Sequence, residues 1–265
     1  MSSRFLVIKL GGSAITVKGK PLTPRLPIIK KVAEDLVKLY QEGFKFIVVH
    51  GGGSYGHPIA SKYSLHKGFF HVGQLRGFSE TELAMRDINH ILASSFYDAG
   101  LPVVPMHPSC MVVACKGELT DFYVRPVKLA LGLGLIPLLH GDVTMDVKWG
   151  FSVISGDQLA SFLAISLKAD KLIFGMDVKG LFDRDPRSHP EAKLLRRVNV
   201  KELNLIDLRV SEGIYDVTGG MRAKLKEALK VASSGIPVYL GSILEKGMVI
   251  KMAKGIPGDY TVILP

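Results

Sequence analysis

An α/β fold built on a mainly parallel sheet is what this 265-residue chain predicts, and two short junctions carry that prediction. Phe5-Leu6-Val7-Ile8 reads as a buried strand, Lys9 closes it, and Gly11-Gly12-Ser13 turns the chain toward a helix. Phe46-Ile47-Val48-Val49 reads as a second strand and runs into His50-Gly51-Gly52-Gly53-Ser54-Tyr55-Gly56-His57. Strand, glycine turn and helix, twice in that order, imply parallel strands whose ends meet at one crevice. Glycines in such turns reach positive φ and line up N–H groups, and the helix start adds partial positive charge, so the crevice suits a phosphate. A plain flexible turn would explain three glycines, but neither the histidine that ends the loop nor the matching pair upstream.

The remaining elements follow in order. A helix is expected over about 24–42 and a strand over 45–50, then helical pieces to about 65. Residues 63–78 hold Tyr63, Phe69, Phe70 and Phe78 among glycines and read as a loop or lid. A helix over 79–99 carries Leu83, Ile88, Ile91, Leu92 and Phe96 near helical spacing, and Gly100 ends it. There follow a strand at 102–106, a hairpin near 110–120, a helix at 124–133, a strand at 135–139 and short strands at 143–146 and 150–154. Ser155-Gly156-Asp157 should cap a helix from Gln158 to Leu167. The last part is read as a strand at 171–175, a Pro-containing loop at 183–190, a helix after Gly219-Gly220, a strand at 237–240 and a closing strand pair near 247–251 and 260–264.

Composition narrows the function classes. A chain that is 47% hydrophobic can bury one large core. Neither a signal-peptide pattern nor a bilayer-length apolar run is present, since Leu129 to Leu139 is short and broken by Gly132, Gly134 and Pro137; a cytoplasmic protein without a membrane partner is expected. The net charge of +10 is spread along the chain without a basic run, which favours small polyanions over nucleic acid as partners. The patch of Lys193, Arg196, Arg197 and Lys201 reads as a solvated face. Cys110 and Cys115 are too few for a disulfide scaffold, and a bridge between them is left open. Neither glycine loop has the spacing of a Walker or dinucleotide motif.

Read in order, Lys9-Leu10-Gly11-Gly12-Ser13, the His50–His57 loop, Ser155-Gly156-Asp157, the Asp177–Phe182 and Asp183–Arg187 segments and the Asp216–Lys224 segment resemble the amino acid kinase superfamily over nearly the whole chain. The resemblance implies a three-layer αβα sandwich, two lobes in one domain, with residues 1–168 as the acceptor and dimerisation lobe and 169–265 as the nucleotide lobe. Acetylglutamate kinases share the Gly-Gly-Gly loop but lack its terminal histidine, and uridylate kinases carry a different loop. Aspartokinases and glutamate 5-kinases usually carry extra domains. The combination His-Gly-Gly-Gly-Ser-aromatic-Gly-His is similar to that of the isopentenyl phosphate kinases, which implies ATP-dependent phosphorylation of isopentenyl phosphate by a homodimer. Kinases of phosphonates, such as those that inactivate fosfomycin, share that type of loop and are the alternative; a nucleotide-sensing module without activity is a further one.

The same resemblance assigns residues. Lys9 would neutralise nucleotide phosphates and assist transfer, and Lys18 would stabilise the transition state, although spacing alone makes Lys18 a surface loop lysine. His57 would hold the acceptor phosphate in line, a dianion favouring the charged imidazole; a capping or core histidine is the competing reading. His50 reads as structural. Gly11, Gly12, Gly53, Asp177, Gly180, Asp185, Gly219 and Lys224 would shape the nucleotide site. Gly52, Gly53, Gly141, Gly156 and Asp157 would meet the acceptor, with Asp157 equally able to be only a helix cap. No protein metal ligand is assigned, and Mg²⁺ is expected to arrive on ATP. Phe78, Leu83 and Ile88 are expected to line the pocket for the acceptor's apolar tail.

Overall fold

The computed structural model describes residues 4–184, 189–203 and 219–265. Eight strands of the described residues form one sheet, ordered β10-β12-β11-β9-β1-β2-β6-β3. At its centre lie β1 (Phe5–Leu10), β2 (Lys45–His50), β6 (Ile136–His140) and β9 (Lys171–Met176), and β3 (Val103–Pro105) forms one edge. All of these pair in parallel, as does β11 (Val238–Ser242) with β9. The antiparallel member is β12 (Tyr260–Leu264) against β11, and β10 (Arg197–Asn199) runs parallel to β12 at the other edge. A second sheet is made of β4 (Val112–Cys115), β5 (Glu118–Phe122), β7 (Asp142–Asp146) and β8 (Gly150–Ile154), ordered β5-β4-β7-β8.

Alternation along the central strands creates two cores. Leu6, Ile8 and Leu10 of β1 pack in one cluster with α2 (Leu26–Gln41), α4 (Gln74–Asp98) and α8 (Met248–Lys254). Val7, Ile47, Val49 and Leu139 face the other way, into a cluster with α5 (Arg125–Gly132), α6 (Gly156–Ser166) and α7 (Gly219–Ser233). Helices therefore cover both faces of the sheet, giving three layers. Two short helices, α1 (Gly12–Ile15) and α3 (Gly53–Lys62), follow directly from the glycine turns.

Two expectations are corrected. The 63–78 segment is no open loop: a 3₁₀ turn occupies Leu65–Lys67, and α4 begins at Gln74. Buried Gln74 organises the segment, its Oε1 accepting from the N–H groups of Phe70 and His71 (2.9 and 3.0 Å) and its Nε2 donating to the carbonyls of Tyr63 and Gly68, both at 3.1 Å. Residues 248–254 form a helix where a strand is expected. Met248, Val249, Met252 and Ala253 are its buried residues, a helical spacing, and the buried carboxylate of Asp35 accepts from Gly247 N–H at its start. The basic patch lies on a solvated face as expected, with Lys193, Arg196, Arg197 and Lys201 all exposed; Arg197 opens β10 there, and Arg196 pairs with Asp259 at 2.7 Å. Both cysteines are free thiols. No helix of the described residues is long and apolar enough to cross a membrane.

Candidate active site

Because β1, β2, β6 and β9 run in parallel with Leu10, His50, His140 and Gly175 in register, the turns that follow them open at one end of the sheet. There they surround a cleft of about 1010 Å³. Close approach demands glycine at the crossings: a Cβ on Gly12 would lie 2.3 Å from Gly53 N, and one on Gly141 would lie 2.5 Å from Gly156 N. Gly53 itself has φ +49°. Among the described residues the N–H groups of Gly52 and Gly53 have no hydrogen-bond partner, so the start of α3 offers two donors to an anion.

Lys9 shares the face of Val7 and so extends toward α6 and α7, where it is buried. Its Nζ lies 2.7 Å from Asp157 Oδ1, and Lys224 Nζ lies 2.6 Å from Asp157 Oδ2. Helix α6 is capped by Ser155, whose Oγ accepts from Gln158 N–H and whose own N–H donates back to Gln158 Oε1, completing a capping box. Asp157, one position into the helix, is thereby free to bridge the two ammonium groups. Burial alone would raise the Asp157 carboxyl, but Lys9 and Lys224 hold it well below the usual carboxylate range. Lys224 is pushed down to about 8 by burial and by Lys9, against the opposing pull of Asp157. Two cations on one carboxylate leave a net positive, desolvated centre at the floor of the cleft.

Lys18 and His57 reach the cleft through a shared fastening. Pro58 inside α3 has no N–H to give to Ser54, four residues back, and the Ser54 carbonyl accepts from Leu22 N–H at 3.2 Å instead. Thr16 completes the joint, its Oγ1 donating to the Gly12 carbonyl at 2.7 Å and accepting from Ser54 N–H at 2.9 Å. The turn that carries Lys18 is thus held against the helix that carries His57. The His57 side chain is open to the cleft, yet the surrounding concave wall and the charge of Lys9 push its imidazole down, with Asp157 opposing. The resting imidazole thus leans toward its neutral form, and the charged form awaits an anion.

Of the residues singled out from sequence, Lys9, Gly11, Gly12, Lys18, Gly52, Gly53, His57, Gly141, Gly156, Asp157, Asp177, Gly180 and Lys224 all line this cleft. Gly219 starts α7, and the next residue, Gly220, does the lining. Asp185 lies outside the described residues. The tail residues are misplaced: Leu83 is exposed, Ile88 is buried in the α4-side core, and Phe78 packs on Phe151 with ring centroids 5.6 Å apart. Helical phase is the reason for Leu83, since the face of α4 that reaches the cleft carries Thr81 and Met85, joined there by Ala60 and Val153; Phe78 and Ile88 share that face but lie one turn to either side of the stretch that meets the cleft. Thr16, Thr81 and Met85 went unnoticed in sequence because only their partners across the chain give them meaning, whereas Asp142, which the resemblance sets beside Gly141 on the acceptor side, does line the cleft. Asp142 is pushed up to about 7 by burial, despite N–H groups donated by Ser109 and Val143. Among the described residues no group of three or more His, Cys, Asp or Glu side chains is gathered as a metal site.

The profile of the amino acid kinase family matches residues 4–242. The isopentenyl phosphate kinase of Methanothermobacter thermautotrophicus is 33% identical over 242 residues, covering 88% of each chain. That of Methanocaldococcus jannaschii is 32% identical over 83% of this chain and 84% of the relative. A solved isopentenyl phosphate kinase structure superposes with a TM-score of 0.83 at 28% identity, covering 98% of this chain and 99% of the other. With a family profile spanning most of its length and relatives at these identities, the chain belongs to the amino acid kinase family.

Proposed function

We propose that the protein transfers the γ-phosphoryl group of ATP to isopentenyl phosphate, forming isopentenyl diphosphate and ADP. The observation that carries this reading is the placement of His57 four residues after Gly53, one helical turn beyond two unpartnered N–H groups and across the cleft from a lysine-rich floor. An acceptor phosphate seated on the N–H groups of Gly52 and Gly53 meets His57 as its dianion raises the imidazole's proton affinity. One of its oxygens attacks the γ-phosphorus, the bond to the β–γ bridging oxygen breaks, and ADP leaves. Lys9 and Lys224 neutralise the phosphates, Asp157 keeps both lysines aimed, and Lys18 meets the charge that develops on the transferring group. Gly220, Asp177 and Gly180 form the nucleotide side. Mg²⁺ carried on the nucleotide adds charge neutralisation when bound, and no protein ligand is assigned to it.

Thr81, Met85, Ala60 and Val153 give the acceptor end an apolar wall, which favours an isoprenoid tail over the small polar epoxide of fosfomycin. Support for the substrate comes also from the two archaeal relatives that bear its name. Pairing as a homodimer through the first lobe belongs to the same proposal. A coupled ADP-release assay with isopentenyl phosphate, dimethylallyl phosphate, fosfomycin and acetylglutamate tests the reading. Turnover of the first is expected, and ADP release with fosfomycin or acetylglutamate but not with isopentenyl phosphate would overturn it.

A further inference from the structure

Two buried histidines take no part in the steps above, yet they form a matched pair beneath the cleft. His50 and His140 are register partners at the ends of β2 and β6, without exposed surface and with ring centroids 5.4 Å apart. Each precedes a glycine that lines the cleft, Gly51 or Gly141. Each also sets Nδ1 against that glycine's carbonyl oxygen, at 3.2 Å for His50 and 3.1 Å for His140. The two turns are joined as well, since Gly141 N–H donates to the His50 carbonyl at 3.0 Å.

A carbonyl can only accept, so Nδ1 carries the proton in both rings. The far sides agree. His140 Nε2 faces His107 Nδ1 at 3.2 Å, and Asp142 Oδ2 lies 3.7 Å from His140 Nδ1, the nitrogen that bears the proton. His50 Nε2 lies 3.1 Å from the side-chain amide oxygen of Asn89, whose Nδ2 is buried without a partner. Turning that amide end for end gives Nε2 a donor and the orphaned nitrogen an acceptor. Burial pushes His50 down to about 4 and His140 well below the ordinary value, so both rings are neutral with a single N–H each.

In a trans peptide the C=O and the following N–H point in opposite directions. His50 lies on the α4 face with Phe46 and Val48, and holding the Gly51 oxygen there aims Gly52 N–H away from that face, toward the cleft where it has no partner. We propose that His50 and His140 are positioning residues that lock the Gly51–Gly52 and Gly141–Asp142 peptides, so that the backbone facing the acceptor is set before substrate enters. Without such a lock the Gly51–Gly52 peptide, with glycine on both sides, is free to rotate, and the Gly141–Asp142 peptide keeps a fixed end only at Asp142, which pairs with Ile154 in the second sheet.

The kinetic part of the test rests on the acceptor proposed above, while the structural part does not. Side-chain ¹⁵N spectra of the resting wild-type protein should show Nδ1–H, Nε2-bare tautomers for His50 and His140; Nε2–H tautomers would overturn the inference whatever the substrate is. Asn places an amide nitrogen where Nδ1 sits, and Leu offers none. His50→Leu and His140→Leu should raise acceptor KM about tenfold or more with ATP KM nearly unchanged, and His50→Asn and His140→Asn should recover most of the loss. Equal impairment of Asn and Leu variants at equal melting temperature, or an unchanged acceptor KM in the Leu variants, would refute positioning. If wild type does not turn over isopentenyl phosphate, the substrate assignment falls alone and the tautomers still decide.

Discussion

Lys9 and His50 stand on neighbouring strands, with Lys9 opposite Val49 and Leu10 opposite His50, yet they serve opposite faces of the sheet. Toward α6 and α7 the strand ends carry charge, in which Lys9 and Lys224 share the carboxylate of Asp157. Toward α4 they carry neutral rings, in which His50 and His140 spend their polar atoms on glycine carbonyls, Asn89 and His107. Both sets are buried, and both answer the cost of burial differently. The charged set is compensated by opposite charge and retains an excess positive charge that a phosphate can use. The neutral set is compensated by hydrogen bonds and has none to offer, which suits it to hold backbone in place.

The comparison breaks most visibly at Asp157. Asp157→Asn leaves two buried ammonium groups without their counter-charge, and an expected loss of about 3–5 kcal/mol follows from urea unfolding at neutral pH. Saturating Mg-ATP should recover more of the melting temperature in the variant than in wild type, because nucleotide phosphates replace the missing charge. A variant as stable as wild type, with no larger response to nucleotide, would mean that the lysines are not held by charge.

Acid sharpens the contrast. His50 binds a proton near pH 6.5 when unfolded and at about 4 when folded, so its contribution is complete above 6.5 and is lost as pH falls toward 4, about 3 kcal/mol in all. Asp157, held below the usual carboxylate range, keeps its contribution across that window and loses it only at lower pH. Asp142, raised to about 7, runs in the opposite direction and destabilises as pH rises toward 7. The readout is therefore the difference between wild type and His50→Asn in unfolding free energy from pH 7 to 4. That difference should narrow on acidification, and a constant difference would remove the neutral-ring account.

The smallest effect is expected at His57, which touches the cleft and little of the core. His57→Ala should cost about 1.5–3 kcal/mol of transition-state binding, one to two decades in kcat/KM for the acceptor, with ATP affinity and melting temperature nearly unchanged. Asn or Gln should restore part of the loss by offering a neutral donor. A destabilised His57→Ala that keeps its kcat/KM would make His57 structural.

Much of this site is legible along the chain because its signals are local. Strand, glycine turn and helix start occupy adjacent residues at Gly11-Gly12 and at His50–His57, and the Ser155 to Gln158 capping box is complete within four positions. What fails is phase and partnership. Leu83 sits on the opposite stripe of α4 from Thr81 and Met85 and Ile88 on the same stripe one turn further along, so the packing of α4 decides which stretch meets the cleft. Met248-Val249-Ile250 looks like a strand until Asp35, far away in sequence, accepts from Gly247 at the start of the helix. Thr16 is one more threonine in a loop until the Gly12 carbonyl and Ser54 N–H arrive on either side.

By itself the sequence determined the α/β class, the two glycine turns after β1 and β2, and the presence of lysines and a histidine near them, because strand alternation and glycine's freedom act over a few residues. Only the tertiary structure decided that Asp157 would stand between Lys9 and Lys224, and that His50 and His140 would lie beneath Gly51 and Gly141. Those pairings depend on parallel strands set in register by crossover helices, and a contact between residues distant in the chain exists only once both ends of that crossover are packed.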